Sequence, residues 1–171
     1  WVRAVFRSTS GSGGVSCGGG GCDGPRRWGG CDLWSTTGPS DLGSCGCSYT
    51  SGDPGGSGGV AIKLAVTGTT TINGGISASG QNYVSLFSGG GSGGSIWLNT
   101  NVLTGTGTMT SIGGLGYTSG GGGGGGRIAV YYTIDNSTVT YQTYGGKNNT
   151  DTDRMGGAGT IYKKSTSQSY G

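Results

Sequence analysis

Five cysteines are the most reactive side chains in the sequence: Cys17, Cys22, Cys31, Cys45 and Cys47 all fall within its first 47 residues. The spacings Cys17-x4-Cys22 and Cys45-x-Cys47 fit a Cys-x2-Cys zinc knuckle poorly, and the chain has no histidine to complete a mixed site. Disulfides formed in an oxidising, extracellular or cell-surface setting are the better expectation, with all five cysteines as candidates. An odd number leaves one thiol free or paired outside the chain. In an extended segment Cys45 and Cys47 share a face, so they are expected to bridge to separate partners rather than to each other.

The remaining polar residues argue against catalysis. All seven acidic residues are aspartates, and five of them, Asp23, Asp32, Asp41, Asp53 and Asp135, lie in stretches that read as irregular. The pair Asp151 and Asp153 reads as a solvated loop rather than as the two positioned carboxylates of glycoside hydrolysis. Calcium on that pair lacks the G-G-x-G-x-D pattern of the calcium β-roll. The absence of histidine excludes Ser-His and Cys-His nucleophiles. No glycine run leads into a phosphate-loop lysine or a helix. The expectation is therefore a protein that is not an enzyme and carries no cofactor or metal.

Asn136 and Asn148 each open an Asn-x-Thr sequon and are the candidate N-glycosylation sites. Net charge is +3 with dispersed basic residues, too mild a balance to predict nucleic-acid binding. No apolar run approaches the length of a membrane-spanning helix.

The elements that must carry these residues are set by glycine, which supplies 45 of 171 residues against three prolines. Collagen is excluded because the Gly-X-Y period and abundant proline are missing. Disorder is opposed by the clustering of β-branched and aromatic residues into runs. Residues 1–7 alternate, with Val2, Ala4 and Phe6 on one face, and read as one strand. Residues 1–56 thus comprise that strand and a loop-rich cap of Cys, Gly and Ser, and residues 57–171 a repetitive body.

The repeat aligns on Ile62, Ile96, Ile128 and Ile161, spaced 34, 32 and 33 residues apart. Two positions later stand Leu64, Leu98, Val130 and then Lys163, where the apolar column breaks. A second strand in each repeat aligns Ile76, Met109 and Tyr141. Glycine loops, longest at the seven glycines of residues 120–126, return to the next repeat. Stacked loops of this kind need glycine so that backbones can touch, as polyproline II strands bonded to one another would. The pattern predicts an all-β fold, a short parallel β-helix or β-solenoid of about three repeats plus a partial fourth, with a Cys-rich N-terminal cap. The alternative is a β-sandwich with glycine-rich polyproline II loops stacked at one side. Threonines at 69–71 and at 104, 106, 108 and 110 read as solvent-facing strand residues rather than as an ice-binding ladder.

The ordered set GGGSGGSIWL, GTGTMTSIGG, GGGGGGGRIAVYYT and GGAGTIYKK resembles the glycine-rich repeats of large exported surface proteins, bacterial and eukaryotic. The likeness covers roughly residues 57–164 and departs at Lys163. It implies a β-solenoid segment of an adhesin or extracellular filament, and it supplies no catalytic residues. Together with the cut-off fourth repeat, it leads to the expectation of a structural subunit of a surface fibre. Its partners would be copies of itself joined head to tail, with Val2, Ala4 and Phe6 forming an assembly strand that lacks an in-chain partner. A carbohydrate- or cell-binding adhesin tip, with glycans as partners, is the second expectation, and a polysaccharide-degrading β-helix enzyme the third.

Overall fold

The isoleucine spacing becomes a physical column in the computed structural model, which describes residues 2–7, 37–38, 41–47, 55–150 and 153–167. The strands are β1 (Val2–Arg7), β2 (Ala61–Thr71), β3 (Gly75–Ser77), β4 (Ser95–Gly105), β5 (Thr108–Thr110), β6 (Arg127–Tyr132), β7 (Ile134–Ser137), β8 (Thr140–Gln142) and β9 (Thr160–Ser165). There is no helix among the described residues. The first strands of successive repeats stack in parallel in the order β2-β4-β6-β9, with β7 continuing alongside β4. The second strands stack separately as β3-β5-β8. The fold is a β-solenoid of about three coils.

Register follows the sequence alignment. Ile62 pairs with Ile96, Ile96 with Ile128 and Ile128 with Ile161. Ile76 pairs with Met109 and Met109 with Tyr141. Strand alternation turns the isoleucines inward, where Ile96, Leu98, Leu103, Met109, Ile128 and Val130 are fully buried in one cluster. β2 and β4 run on past the alternating apolar stretch into threonines. These are tied across coils, Thr70 to Thr100 and Thr71 to Thr104, each at 2.8 Å.

One expectation is corrected here. Residues 2–7 do have a partner in the chain, because β1 pairs antiparallel with β2, Phe6 opposite Ile62 and Val2 opposite Val66. The N-terminal strand thus covers the first edge of the large sheet, and β1 and β9 are its two outer strands.

The remaining wall is made of glycine. One column contains residues 55–59, 89–94, 120–126 and 154–159, which lead into the first strands. A second contains 78–83, 111–116 and 143–147, which leave the second strands. Hydrogen bonds change direction with a period of three, the signature of a polyproline II helix. Gly90 and Gly93 donate to Gly121 and Gly124 of the next coil. Gly91 and Gly94 donate to Gln81 and Ala78 of the second column. Gly89 and Ser92 donate to Cys47 and Ser44, in a single strand of a third column formed by residues 43–47.

Glycine is required at most of these positions because a Cβ would sit inside a neighbouring carbonyl. At Gly123 it would lie 2.0 Å from the Gly91 oxygen. The glycine Hα points there instead and makes a weak C–H···O contact. Each backbone hydrogen bond contributes about 1 kcal/mol net, while ordering a residue costs about 1–2 kcal/mol. Single glycine strands therefore do not order alone, and the wall holds only as a bonded stack on the apolar core.

Gly124 has no atom nearer its missing Cβ than the Gly157 oxygen at 3.9 Å. Gly123→Ala should therefore cost about 2 kcal/mol or more by overpacking, and Gly124→Ala should stay within about 0.5 kcal/mol of the parent. Urea unfolding of the two variants measures the contrast, and equal losses would contradict the packing of the wall.

Candidate functional site

The C-terminal end of the solenoid gathers the polar chemistry of the body. β9 starts a fourth coil, and no second strand accompanies it among the described residues. Ile62, Ile96 and Ile128 are buried, whereas Ile161, next in the column, is 46% exposed. The Thr160 and Thr166 N–H groups donate to Gly126 and Tyr132 of the preceding coil. By strand alternation, the N–H and C=O groups of Ile161, Lys163 and Ser165 therefore point to the open edge. This edge is a template for another strand.

Lys163 occupies the column position of Leu64, Leu98 and Val130. Its stem lies across the end of the third coil. Its ammonium reaches Asp135 at 2.8 Å and stands 5.5 Å from the ring centre of Tyr132 and 5.1 Å from that of Tyr141. A lysine can do this because its methylenes cover apolar surface while its charge finds a partner. Asp135 also accepts bonds from the Ser137 N–H and hydroxyl, at 3.0 and 2.6 Å. Burial disfavours the Asp135 charge, but the bonds from Lys163 and Ser137 outweigh it and hold the carboxyl below its ordinary value. Burial likewise opposes the Lys163 charge, and Asp135 more than compensates, raising the ammonium above its ordinary value. Burial raises Tyr141, whose hydroxyl is enclosed without a hydrogen-bond partner. The pair thus lies over the apolar end of the third coil.

Arg127 forms a second buried charge, 4% exposed at the start of β6. Its Nη2 lies 3.5 Å from Asp41 and 3.3 Å from the Ser95 hydroxyl, while its Nε and Nη1 have no partner. Burial lowers its pKa, opposed by Asp41. On the outer face of the large sheet, Trp97, Tyr131 and Tyr162 stand in a row with ring centres 6.0 and 5.7 Å apart. Lys63 lies 4.5 Å over Trp97, and the Tyr131 hydroxyl donates to the Thr37 carbonyl.

The other candidate residues divide. Cys45 is a free, half-buried thiol and Cys47 is disulfide-bonded, so the two do not bridge each other. Cys17, Cys22 and Cys31 lie outside the described residues. Asn136 is exposed on β7, where a glycan would meet solvent. Asn148 is held inside the fold. It is 6% exposed, its amide nitrogen donates to the Thr118 and Gly120 carbonyls, and its oxygen accepts from Thr150. Glycosylation would break those bonds, and the side chain instead fastens the loop around the Gly116–Asn148 bridge. The sequence flagged Lys163 only as a break in the pattern. Its pairing with Asp135 had no local signal, because 28 residues separate the two.

Compared with protein-family models, with curated proteins and with solved structures, the chain matches none.

Because the folded pKa of Asp135 lies below its unfolded value of about 3.8, the pair stabilises the fold above that pH. The contribution is lost as pH falls through the depressed folded value. Thermal unfolding of the parent should therefore shift downward between pH 5 and pH 2 more than that of Asp135→Asn. Parallel curves would show that the pair adds nothing.

Proposed function

We propose that the chain is a structural subunit of an extracellular, cell-surface filament that grows head to tail. The exposed continuation of the isoleucine column carries this reading: Ile161 extends a buried row to an open strand edge. The outer edge of β1, at the opposite end of the same sheet, is the complementary surface. Since β1 runs antiparallel to β2, it would join β9 of the preceding subunit as an antiparallel pair. Phe6 holds the register position of the isoleucine column and would stand opposite Ile161. This replaces a donated strand with edge-to-edge addition of a strand already bound in its own subunit. The disulfide at Cys47 supports an oxidising location, and the resemblance of the repeats to exported surface proteins supports the same setting.

The row Trp97, Tyr131 and Tyr162 favours a second reading, a glycan-binding adhesin face. Aromatic rings in line present apolar platforms to sugar rings. The two readings differ in state, since the first requires polymers and the second does not.

Ile161→Pro separates them. Proline at this edge position removes a donor that β6 does not use, and it blocks an added strand. The variant should keep the parent's circular dichroism and show no fibres by negative-stain microscopy, while the parent forms fibres under the same conditions. Fibres of parental length from the variant, or discrete particles only from the parent, would overturn the filament reading.

A further inference from the structure

The third column of the glycine wall is occupied in one place by residues 43–47, and no described residue is bonded into the next. Residues 43–47 lie between two coils of the first column. Gly43 and Gly46 donate to the Gly59 and Gly56 carbonyls, at 2.8 Å each. Their Cys47 and Ser44 carbonyls accept from Gly89 and Ser92 of the following coil, at 2.7 and 2.8 Å. Ser95 adds a bond from its hydroxyl to the Asp41 carbonyl, at 2.7 Å. One strand thus receives donors from two coils at once.

One coil further on, the same groups recur without a partner. In residues 120–126, Gly122 and Gly125 donate to the next coil, and Gly123 and Gly126 to the second column. The threefold phase leaves the Gly121 and Gly124 N–H groups in the place of Gly89 and Ser92, and neither has an acceptor among the described residues. The Gly90 and Gly93 carbonyls, in the place of Gly56 and Gly59, accept no hydrogen bond from the described residues. Gly89 is buried beneath Cys47, whereas Gly121 and Gly124 are half-exposed.

A buried side chain marks the same position independently. Arg127 is the register partner of Ser95, the residue whose hydroxyl ties down the seated strand. Only its Nη2 is engaged, with Asp41 and Ser95, and its Nε and Nη1 are enclosed without acceptors. The carbonyls of a strand in the open position would supply acceptors to a guanidinium that now lacks them.

We propose that this open slot binds an extended, glycine-rich peptide strand in the polyproline II conformation. The strand would run antiparallel to residues 120–126, as residues 43–47 run antiparallel to residues 89–94. It would accept from Gly121 and Gly124 through carbonyls three residues apart and donate to Gly90 and Gly93. Glycine is needed at the ligand residues that meet the wall, because Gly43 and Gly46 in the seated strand have no room for a Cβ, which would lie 2.2 Å from the Ser92 and Gly89 oxygens. The inference stands apart from head-to-tail growth, since it concerns the side of the solenoid and not its ends.

The probe is a synthetic peptide with the sequence of residues 41–47, both cysteines replaced by serine, titrated into the full chain. Gly124→Pro is the blocking variant. Proline preserves the polyproline II conformation, removes an N–H that the fold does not use, and places its ring in the slot. Calorimetry should give saturable binding to the parent, with NMR shifts centred on the Gly121 and Gly124 amides. Gly124→Pro should bind at least tenfold more weakly while keeping the parental melting temperature. Should Gly124→Pro unfold, Arg127→Met provides the second test, with weakened binding expected from it too. No saturable binding to the parent, shifts centred elsewhere, or undiminished binding to a folded variant would overturn the proposal.

Discussion

The structure depends on backbones approaching one another as closely as hydrogen-bonded chains can without side chains between them. In the wall, the N–H groups of residues 89–94 point in turn at three neighbours, and those of residues 120–126 at two. At most of its glycines the position where a side chain would stand is filled by a carbonyl oxygen. Glycine loses more conformational entropy on ordering than any other residue, so such a wall forms only when nearly every peptide group is bonded on two or three sides. Among the described residues the apolar core is small, ten buried residues around Ile96, Leu98 and Ile128. It does not enclose the chain but supplies the straight, parallel edge on which the wall is built. Core and wall are interdependent: the isoleucine column fixes the coil repeat, and the coil repeat brings the glycine runs into bonding register.

That interdependence explains why the ends and sides of the molecule matter more than any pocket. A solenoid satisfies each coil with the next, and among the described residues no coil follows β9. The chain handles the two ends of its large sheet differently. At the first edge it turns a strand back antiparallel, Val2–Arg7 on β2. At the last, Ile161 is exposed and Lys163, bound to Asp135, lies over the end of the described coils. A charged residue facing inward on an edge strand limits indiscriminate pairing, while the exposed isoleucine keeps apolar area available to a partner of the right register.

Much of this architecture is legible from side chains that recur at fixed spacing. Ile62, Ile96, Ile128 and Ile161 announce the coil length, and Ile76, Met109 and Tyr141 the second sheet, because inward positions of stacked coils must all be apolar. The phase of the glycine wall is not legible. Seven identical residues at 120–126 carry no mark of which N–H groups meet a neighbour, so Gly123 and Gly124 look alike in sequence and differ fully in space. The partner of Val2–Arg7 was missed because an antiparallel strand some 60 residues from its mate leaves no periodic trace. The burial of Asn148 is not legible either, because a sequon describes three residues, whereas the bonds that hold it go to Thr118 and Gly120. The strand at residues 43–47, hidden in a cysteine-rich stretch without apolar periodicity, belongs to the wall chiefly through backbone bonds, joined by the Ser44–Ser92 hydroxyl contacts.

Amide hydrogen exchange, resolved glycine by glycine across residues 120–126, tests the bonded glycine wall most directly. The account predicts a threefold pattern: slow exchange at Gly122, Gly123, Gly125 and Gly126, whose N–H groups are bonded, and fast exchange at Gly121 and Gly124, whose N–H groups are not. Uniformly fast exchange through the run would contradict it, and the seven glycines would then be a linker between strands rather than the wall of the fold.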